Sequence, residues 1–316
     1  MSYAFTFPGQ GSQTVGMGQE LASQFPEARA VFAEVDEALG QSLSKIIWEG
    51  SQEELTLTAN AQPALMAVSL ATIAVLKAKG LDLATTAKFV AGHSLGEYSA
   101  LAAAGTFTIA DTARLLRTRG EAMQAAVPVG EGAMAALLGL DFDAAMQVAE
   151  EAAQGEICQA ANDNGGGQVV VSGHKAAVER ACELAKAKGA RRAVMLPVSA
   201  PFHCTLMQPA AEKMAEALAN VQMQDPCVPL VANVLAAPIT SADDIRTRLV
   251  EQVTGTVRWR ESVSYMVGAG ASTLVEVGAG KVLSGMVRRI EKSAATAALN
   301  SAEDIDAFVE AVNAAS

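Results

Sequence analysis

Ser94 stands in Gly92-His93-Ser94-Leu95-Gly96, a G-x-S-x-G pentapeptide between an apolar run and a long helical pattern. A serine so placed is pushed out at the end of a strand, where its hydroxyl can act as a nucleophile. Upstream, Ala87-Lys88-Phe89-Val90-Ala91 reads as a short buried strand; downstream, Glu97 to Ala104 reads as a helix. The flanking glycines permit a tight, strained turn that a Cβ would obstruct. The helix N-terminus adds unpaired N–H groups and partial positive charge at the reacting oxygen. Glu97, three residues past Ser94, is expected to cap the helix start rather than to share in the chemistry.

A nucleophilic serine needs a base, and the chain has three histidines, His93, His174 and His203. His93 adjoins Ser94, and neighbouring side chains in a turn point apart, so it is expected to support the site. His174 falls in the first turn of a helix after a strand and reads as a surface residue. His203 lies in Ser199-Ala200-Pro201-Phe202-His203-Cys204, a non-repetitive stretch between a strand pattern and a helix pattern. Such a junction can be held by the scaffold and still reach a cleft. An imidazole of ordinary pKa about 6.5 suits proton transfer near neutrality. His203 is therefore the expected base. Cys204 is a rival nucleophile by residue type, but nothing around it resembles the turn at Ser94, and it reads as a buried thiol.

Composition removes several function classes. The 316 residues can bury a substantial core, and one domain with a smaller insert is plausible. A formal charge of −11 speaks against nucleic acid as a partner. No apolar run is expected to reach the ~20 residues of a membrane span, and the N-terminal residues carry no signal-like pattern. The four cysteines lack C-x-x-C spacing, which points to a reducing cytoplasm and to no zinc site. Gly9-Gln10-Gly11-Ser12-Gln13 lacks the third glycine or the lysine of a phosphate cradle, so no nucleotide cofactor is expected.

Helix and strand patterns alternate, which predicts an α/β fold with a mostly parallel sheet. Tyr3 to Phe7 is a first strand, and Ala61 to Lys79 a helix with Pro63 near its start. Ile109 to Ala126 is a helix as well. From Val127 the order becomes strand, helix, strand, strand, helix, strand within about 70 residues, the ferredoxin-like βαββαβ pattern. The expected division is a core of residues 1–126 and 199–316 with an inserted subdomain at 127–198. Ser94 and His203 flank the insert in sequence, so a cleft between the two parts would hold both.

Further segments are Phe7-Pro8-Gly9-Gln10-Gly11-Ser12-Gln13, Asn60-Ala61-Gln62-Pro63-Ala64-Leu65, Arg117-Thr118-Arg119-Gly120, Val257-Arg258-Trp259 and Glu276-Val277-Gly278-Ala279-Gly280-Lys281-Val282-Leu283. With the pentapeptide and the His203 segment, in this order, they resemble the malonyl-CoA:acyl-carrier-protein transacylases, acyltransferases of bacterial fatty acid synthesis. The resemblance spans nearly the whole chain. It implies a hydrolase-like α/β core with a ferredoxin-like insert, in agreement with the element pattern. It implies that Ser94 takes the malonyl group as an ester, with His203 as base and the backbone N–H groups of Gln10 and Leu95 as oxyanion hole. Arg119 would pair bidentately with the free malonyl carboxylate, where a lysine would serve poorly. Without the resemblance it would read as a solvated helix residue. Gln62 would line the same pocket, or cap its helix. Gln252 would orient His203 through its main-chain carbonyl, in place of the acid of a triad. The implied partners are malonyl-CoA and acyl carrier protein. Cys204, Thr256, Ala279 and the glycine-rich Asn162–Gln168 segment depart from the family's pattern without touching this chemistry.

Two other readings compete. An esterase or thioesterase would use water as acceptor and need an acid between serine and histidine in chain order, for which Asp141, Asp143 or Asp163 could serve. A catalytically idle binding subunit would have no use for serine, histidine and arginine together. Since the implied carrier protein is acidic and the chain is itself negative, docking would need a local basic patch. Two runs offer one: Lys186, Lys188, Arg191 and Arg192, and Lys281, Arg288, Arg289 and Lys292. Solvated surface charge is the alternative for both.

Overall fold

All five residues of the first strand, Tyr3–Phe7 (β1), are buried, which requires a strand covered on both faces. The structure, a computed structural model, describes residues 2–315. Four short helices follow: Gln19–Gln24 (α1), Pro26–Leu39 (α2), Leu43–Glu49 (α3) and Gln52–Thr56 (α4). Then come Thr58–Ala78 (α5), Leu83–Thr86 (α6), strand Ala87–Gly92 (β2), Gly96–Ala103 (α7) and Ile109–Ala125 (α8). The middle of the chain holds Gly132–Leu138 (β3), Phe142–Ala153 (α9), Cys158–Asp163 (β4), Gln168–His174 (β5), Lys175–Ala187 (α10) and Arg192–Met195 (β6). A 3₁₀ turn at Thr205–Met207 leads to Gln208–Ala219 (α11), Leu230–Ala232 (β7) and Ala237–Ile239 (β8). The chain closes with Ala242–Thr254 (α12), Trp259–Gly268 (α13), Thr273–Val277 (β9), Val282–Ile290 (α14), Ala295–Leu299 (β10) and Ala302–Ala315 (α15).

The strands form two sheets. The larger runs β10-β9-β1-β2-β7-β8 and is parallel except for the β7–β8 pair at its edge. The smaller runs β4-β5-β3-β6, is antiparallel throughout, and uses only strands between Gly132 and Met195. It has its own small-residue core, in which Ala145, Val148, Val171, Val178 and Ala181 are fully buried. The smaller sheet is also stitched to the rest. Val257 bridges Asn162 in parallel, the Val257 amide donates to the Ala161 carbonyl at 2.9 Å, and Thr256 Oγ1 donates to the Ala160 carbonyl at 2.7 Å.

Register places the loops that matter. Phe7 pairs with Gly92 at the carboxyl ends of β1 and β2, so Pro8–Gly11 and the Ser94 turn leave one sheet edge side by side. Val90 pairs with Leu230, which brings Asn233, just past β7, to the same edge. Open parallel sheets place ligands at this carboxyl edge.

Two expectations need correction. The helix that carries Pro63 begins at Thr58, three residues earlier than expected, so the proline sits inside the helix and not in its first turn. That same helix, 21 residues with mean hydropathy 1.5, is long and apolar enough to cross a membrane, contrary to the reading that no run is. It lies in the core, with 83% of the window buried, and its apolarity reflects packing against α2, α7 and α8.

The glycines of the pentapeptide are steric necessities. A Cβ on Gly92 would lie 1.9 Å from the backbone of Gly96, and one on Gly96 would lie 2.2 Å from the Phe7 carbonyl oxygen. Backbone on both sides cannot yield. Gly92→Ala is expected to lower the unfolding temperature and to remove any reactivity of Ser94. Gly285→Ala, in α14 with open space at the Cβ position, should instead stabilise by ~0.5–1 kcal/mol through helix propensity. Chemical denaturation of both variants checks the pair.

Candidate active site

Ser94 adopts φ +54°, a left-handed conformation that strains a residue with a side chain. Two bonds hold it there. Its amide donates to Asn233 Oδ1 at 2.8 Å, and its carbonyl accepts from Gln252 Nε2 at 2.9 Å. Asn233 also donates from Nδ2 to the Gly92 carbonyl at 2.7 Å, so one side chain ties both arms of the turn.

The turn projects Ser94 Oγ to 2.7 Å from His203 Nε2. His203, itself at φ +57°, is 3% exposed. Its Nδ1 faces the carbonyls of Gln252 at 2.9 Å and Gly255 at 3.1 Å. Carbonyls only accept, so the proton resides on Nδ1 and Nε2 is left as the acceptor for the serine hydroxyl. Burial, and next the nearby Arg119 cation, pulls the imidazole pKa from 6.5 down to about 3 against the two carbonyl bonds. The ring is neutral at physiological pH and free to accept a proton.

Arg119 lies 1% exposed on α8, with its guanidinium 5.7 Å from the centre of the Tyr98 ring. It donates to Gln62 Oε1 at 2.8 Å, Gln252 Oε1 at 2.8 Å and Ser94 Oγ at 3.1 Å. Its approach depends on Gly120, where a Cβ would stand 2.7 Å from the Ala59 Cα and Thr58 carbonyl of α5. Gln62 is buried, donating to Thr58 Oγ1 at 3.1 Å as well as accepting from Arg119, so its amide sets the pocket wall and caps nothing. Among the described residues no carboxylate lies within ion-pair distance of Arg119.

These groups share a cavity of about 310 Å³ lined also by Gln10, Leu95, Met123, Met134 and Phe202. Among the described residues the backbone N–H groups of Gln10 and Leu95 have no acceptor, which suits both to a developing oxyanion. His93 supports the wall as expected. Its Nε2 bonds Asn164 Oδ1 at 2.9 Å, and its ring meets Trp259 edge to face at 5.7 Å. The late motif supports from a distance: Glu276 caps α14 by accepting from the Leu283 and Ser284 amides at 3.0 and 2.7 Å.

Three sequence readings change. Glu97 does not cap α7. It is 1% exposed and accepts from Gln252 Nε2 at 2.5 Å and the Asn233 amide at 3.3 Å. His174 is half-buried, and its Nδ1 accepts from the Ile157 amide at 2.9 Å. Lys186 and Lys188 are paired with Glu183 and Glu151, so of that run only Arg191 and Arg192 stand exposed without an ion pair among the described residues. Cys204 is buried as expected, and burial raises its thiol pKa. Asn233 and the Gly255 carbonyl were missed. The only signal for Asn233 was a polar residue closing an apolar strand, and it lies 139 residues from the turn it holds.

The arrangement can take a proton from Ser94, stabilise an oxyanion and hold an acid group on Arg119. It does not supply the carboxylate that the hydrolase reading requires. Asp141 caps α9 through the Ala144 amide, Asp143 is exposed and Asp163 pairs with Arg260 at 2.8 Å. Among the described residues no three His, Cys, Asp or Glu side chains gather as metal ligands.

Known proteins resemble the chain along nearly its full length. The acyl transferase domain family matches residues 4–312. The malonyl CoA-acyl carrier protein transacylase of Bacillus subtilis (strain 168) is 48% identical over 308 residues, 97% of this chain and 96% of its own. That of Escherichia coli (strain K12) is 47% identical, covering 98% and 99%. The crystal structure of an acyl-carrier-protein-S-malonyltransferase from Bartonella henselae superposes with TM-score 0.97 at 57% identity, covering 99% and 100%. A malonyl-transacylase in complex with its type II PKS acyl-carrier protein superposes with TM-score 0.95 at 43% identity, covering 98% and 100%.

With its pKa lowered to about 3, His203 stays unprotonated well below neutrality. Single-turnover acylation of Ser94 by an activated ester should therefore hold its rate between pH 7 and pH 5. A base of pKa 6.5 would lose roughly 25-fold of its neutral form over that range. Rapid-quench rates across the interval decide between the two.

Proposed function

We propose, for a chain that belongs to the acyl transferase domain family, that it moves a malonyl group from malonyl-CoA to the phosphopantetheine thiol of an acyl carrier protein. The observation that carries this reading is one oxygen with two neighbours: Ser94 Oγ lies 2.7 Å from the His203 imidazole and 3.1 Å from the Arg119 guanidinium. An acyl group bonded to that oxygen and ending in a carboxylate two carbons on would set the carboxylate against the guanidinium.

The steps follow from the residues. Ser94 passes its proton to His203 Nε2 as Oγ bonds the thioester carbon, and the Gln10 and Leu95 amides hold the oxyanion. The carbon–sulfur bond then breaks and the imidazolium returns the proton to the departing CoA sulfur. The carrier thiol repeats the sequence in reverse and frees Ser94. A free carboxylate on Arg119 also offsets the cation that depresses His203, so a malonyl group improves its own base. Carbonyls orient the ring here in place of a carboxylate, which suffices to fix the tautomer.

The fold reading belongs to the same proposal. The parallel sheet and its carboxyl-edge turn support a hydrolase-like core of residues 1–126 and 199–316. The β4-β5-β3-β6 order supports a ferredoxin-like insert at 127–198. Four unpaired thiols are in keeping with a cytoplasmic location. For the carrier protein, the run around Arg289 is the better-placed patch. Arg289 packs beside Gly166 and donates to Gln168 at 3.2 Å, on the turn whose Asn164 holds His93.

Three variants test the reading. Ser94→Ala should lose the malonyl adduct seen by intact mass, and Cys204→Ser should keep it; the reverse pattern would sink the assignment of Ser94. Arg119→Ala should cut malonyl transfer by two to four decades, the usual cost of breaking a buried charged pair being ~3–5 kcal/mol. Acetyl transfer, with no carboxylate to strand, should fall far less. An unchanged malonyl-to-acetyl ratio would remove Arg119 from the acyl site.

A further inference from the structure

We infer that Glu97 is the standing counter-charge of Arg119, relayed through the side-chain amide of Gln252, and that it takes a proton from solvent when an acyl carboxylate occupies Arg119. The inference rests on the malonyl reading above and makes Glu97 a positioning and specificity-determining residue of the same pocket.

The geometry is a relay of three side chains. Glu97 Oε2 accepts from Gln252 Nε2 at 2.5 Å, and Gln252 Oε1 accepts from the Arg119 guanidinium at 2.8 Å. Glu97, Gln252 and Arg119 are each no more than 1% exposed. The acid fixes which way the amide faces, because a flipped Gln252 would set its N–H groups against those of Arg119 and its oxygen against Glu97. Gln252 thereby presents an acceptor to the guanidinium and a donor to the Ser94 carbonyl. A buried cation without a direct carboxylate partner is in this way balanced at one remove.

Charge arithmetic does the rest. Arg119 lines the cavity as its one cation, and Glu97, buried behind Gln252, is the anion that balances it. An arriving acyl carboxylate makes two anions for one cation in a medium that solvates neither well. The incoming group can bond the guanidinium directly and bidentately. Glu97 reaches it only through an amide, so Glu97 is the carboxylate that gives way. Burial, opposed by the bonds from Gln252 and Asn233 and by the Arg119 charge, already holds its pKa at about 7. Pairing Arg119 with substrate weakens that last restraint and moves the carboxyl further up. The charged and titratable groups facing Glu97 are Arg119 from α8 and Tyr98 on its own helix. The loop after β7 and α12 offer it the neutral amides of Asn233 and Gln252. His203 is neutral throughout this range.

The sign is set by the order of the two pKa values. Since the carboxyl is more basic in the malonyl form than in the free enzyme, malonyl and proton reinforce each other, and malonyl loading weakens as pH rises above about 7. The acyl exchange itself is proton-neutral, with hydroxyl plus thioester giving ester plus thiol.

The test measures, from pH 6 to 8 at a fixed malonyl-CoA to CoA ratio, the fraction of malonyl enzyme by intact mass and the protons absorbed by an indicator dye. Wild type should load less with rising pH, approaching tenfold per unit at the alkaline end, and should absorb up to one proton per adduct. Glu97→Gln should load with a flat profile and absorb none. Wild-type loading that is flat in pH, or uptake retained in Glu97→Gln, overturns the inference. Should Glu97→Gln fail to fold, the wild-type infrared difference spectrum on loading decides: a protonated-carboxyl band must appear, and its absence overturns the inference equally. A chain that forms no malonyl adduct at any pH loses the transfer reading and this inference together, whereas an adduct formed without proton uptake removes this inference alone.

Discussion

A guanidinium sealed from water is the constraint around which this molecule is arranged. Stripping an arginine of solvent costs several kcal/mol unless its donors are met, and Arg119 meets most of that demand, through Nη1 and Nη2, with the amide oxygens of Gln62 and Gln252 and the hydroxyl of Ser94, its Nε alone lacking a partner among the described residues. Each acceptor is brought by a different element. Gln62 comes from α5, drawn close to α8 by the absence of a side chain at Gly120. Ser94 comes from a turn that exists only because Gly92 and Gly96 can touch backbone to backbone. Gln252 comes from α12 and supplies His203 with its carbonyl, Arg119 with its side-chain oxygen and Ser94 with its side-chain nitrogen. Removing the cation would leave acceptors in the pocket with no reason for their present orientation.

Much of this was legible along the chain because it is local. The Ser94 turn, the strand before it and the helix after it follow from five residues and their flanks, and Tyr3–Phe7 is a strand as expected. The βαββαβ order of residues 132–195 is a property of sequence spacing alone, and the elements occur in that order. The histidine that lies beside Ser94, His203, could be picked by elimination among three.

What was hidden is whatever depends on register between distant strands. Asn233 reaches Ser94 because β7 pairs with β2, a relation that no local pattern encodes. Glu97 sits where a capping acid belongs, and spacing alone favours that role. Burial at 1% exposure turned it inward instead, to an amide 155 residues away. The length and apolarity of helix α5 were also not foreseen: an apolar face on all sides marks a helix surrounded by others as readily as one surrounded by lipid.

The seam between the sheets carries a mechanical meaning. Thr256 and Val257 fasten to β4 through the Ala160 and Ala161 carbonyls, and the residue before them is Gly255, whose own carbonyl holds the proton-bearing nitrogen of His203. Only one peptide separates the fastening from the ring. The contact that seats one sheet on the other and the contact that orients the His203 ring are thus made by adjacent residues of one loop.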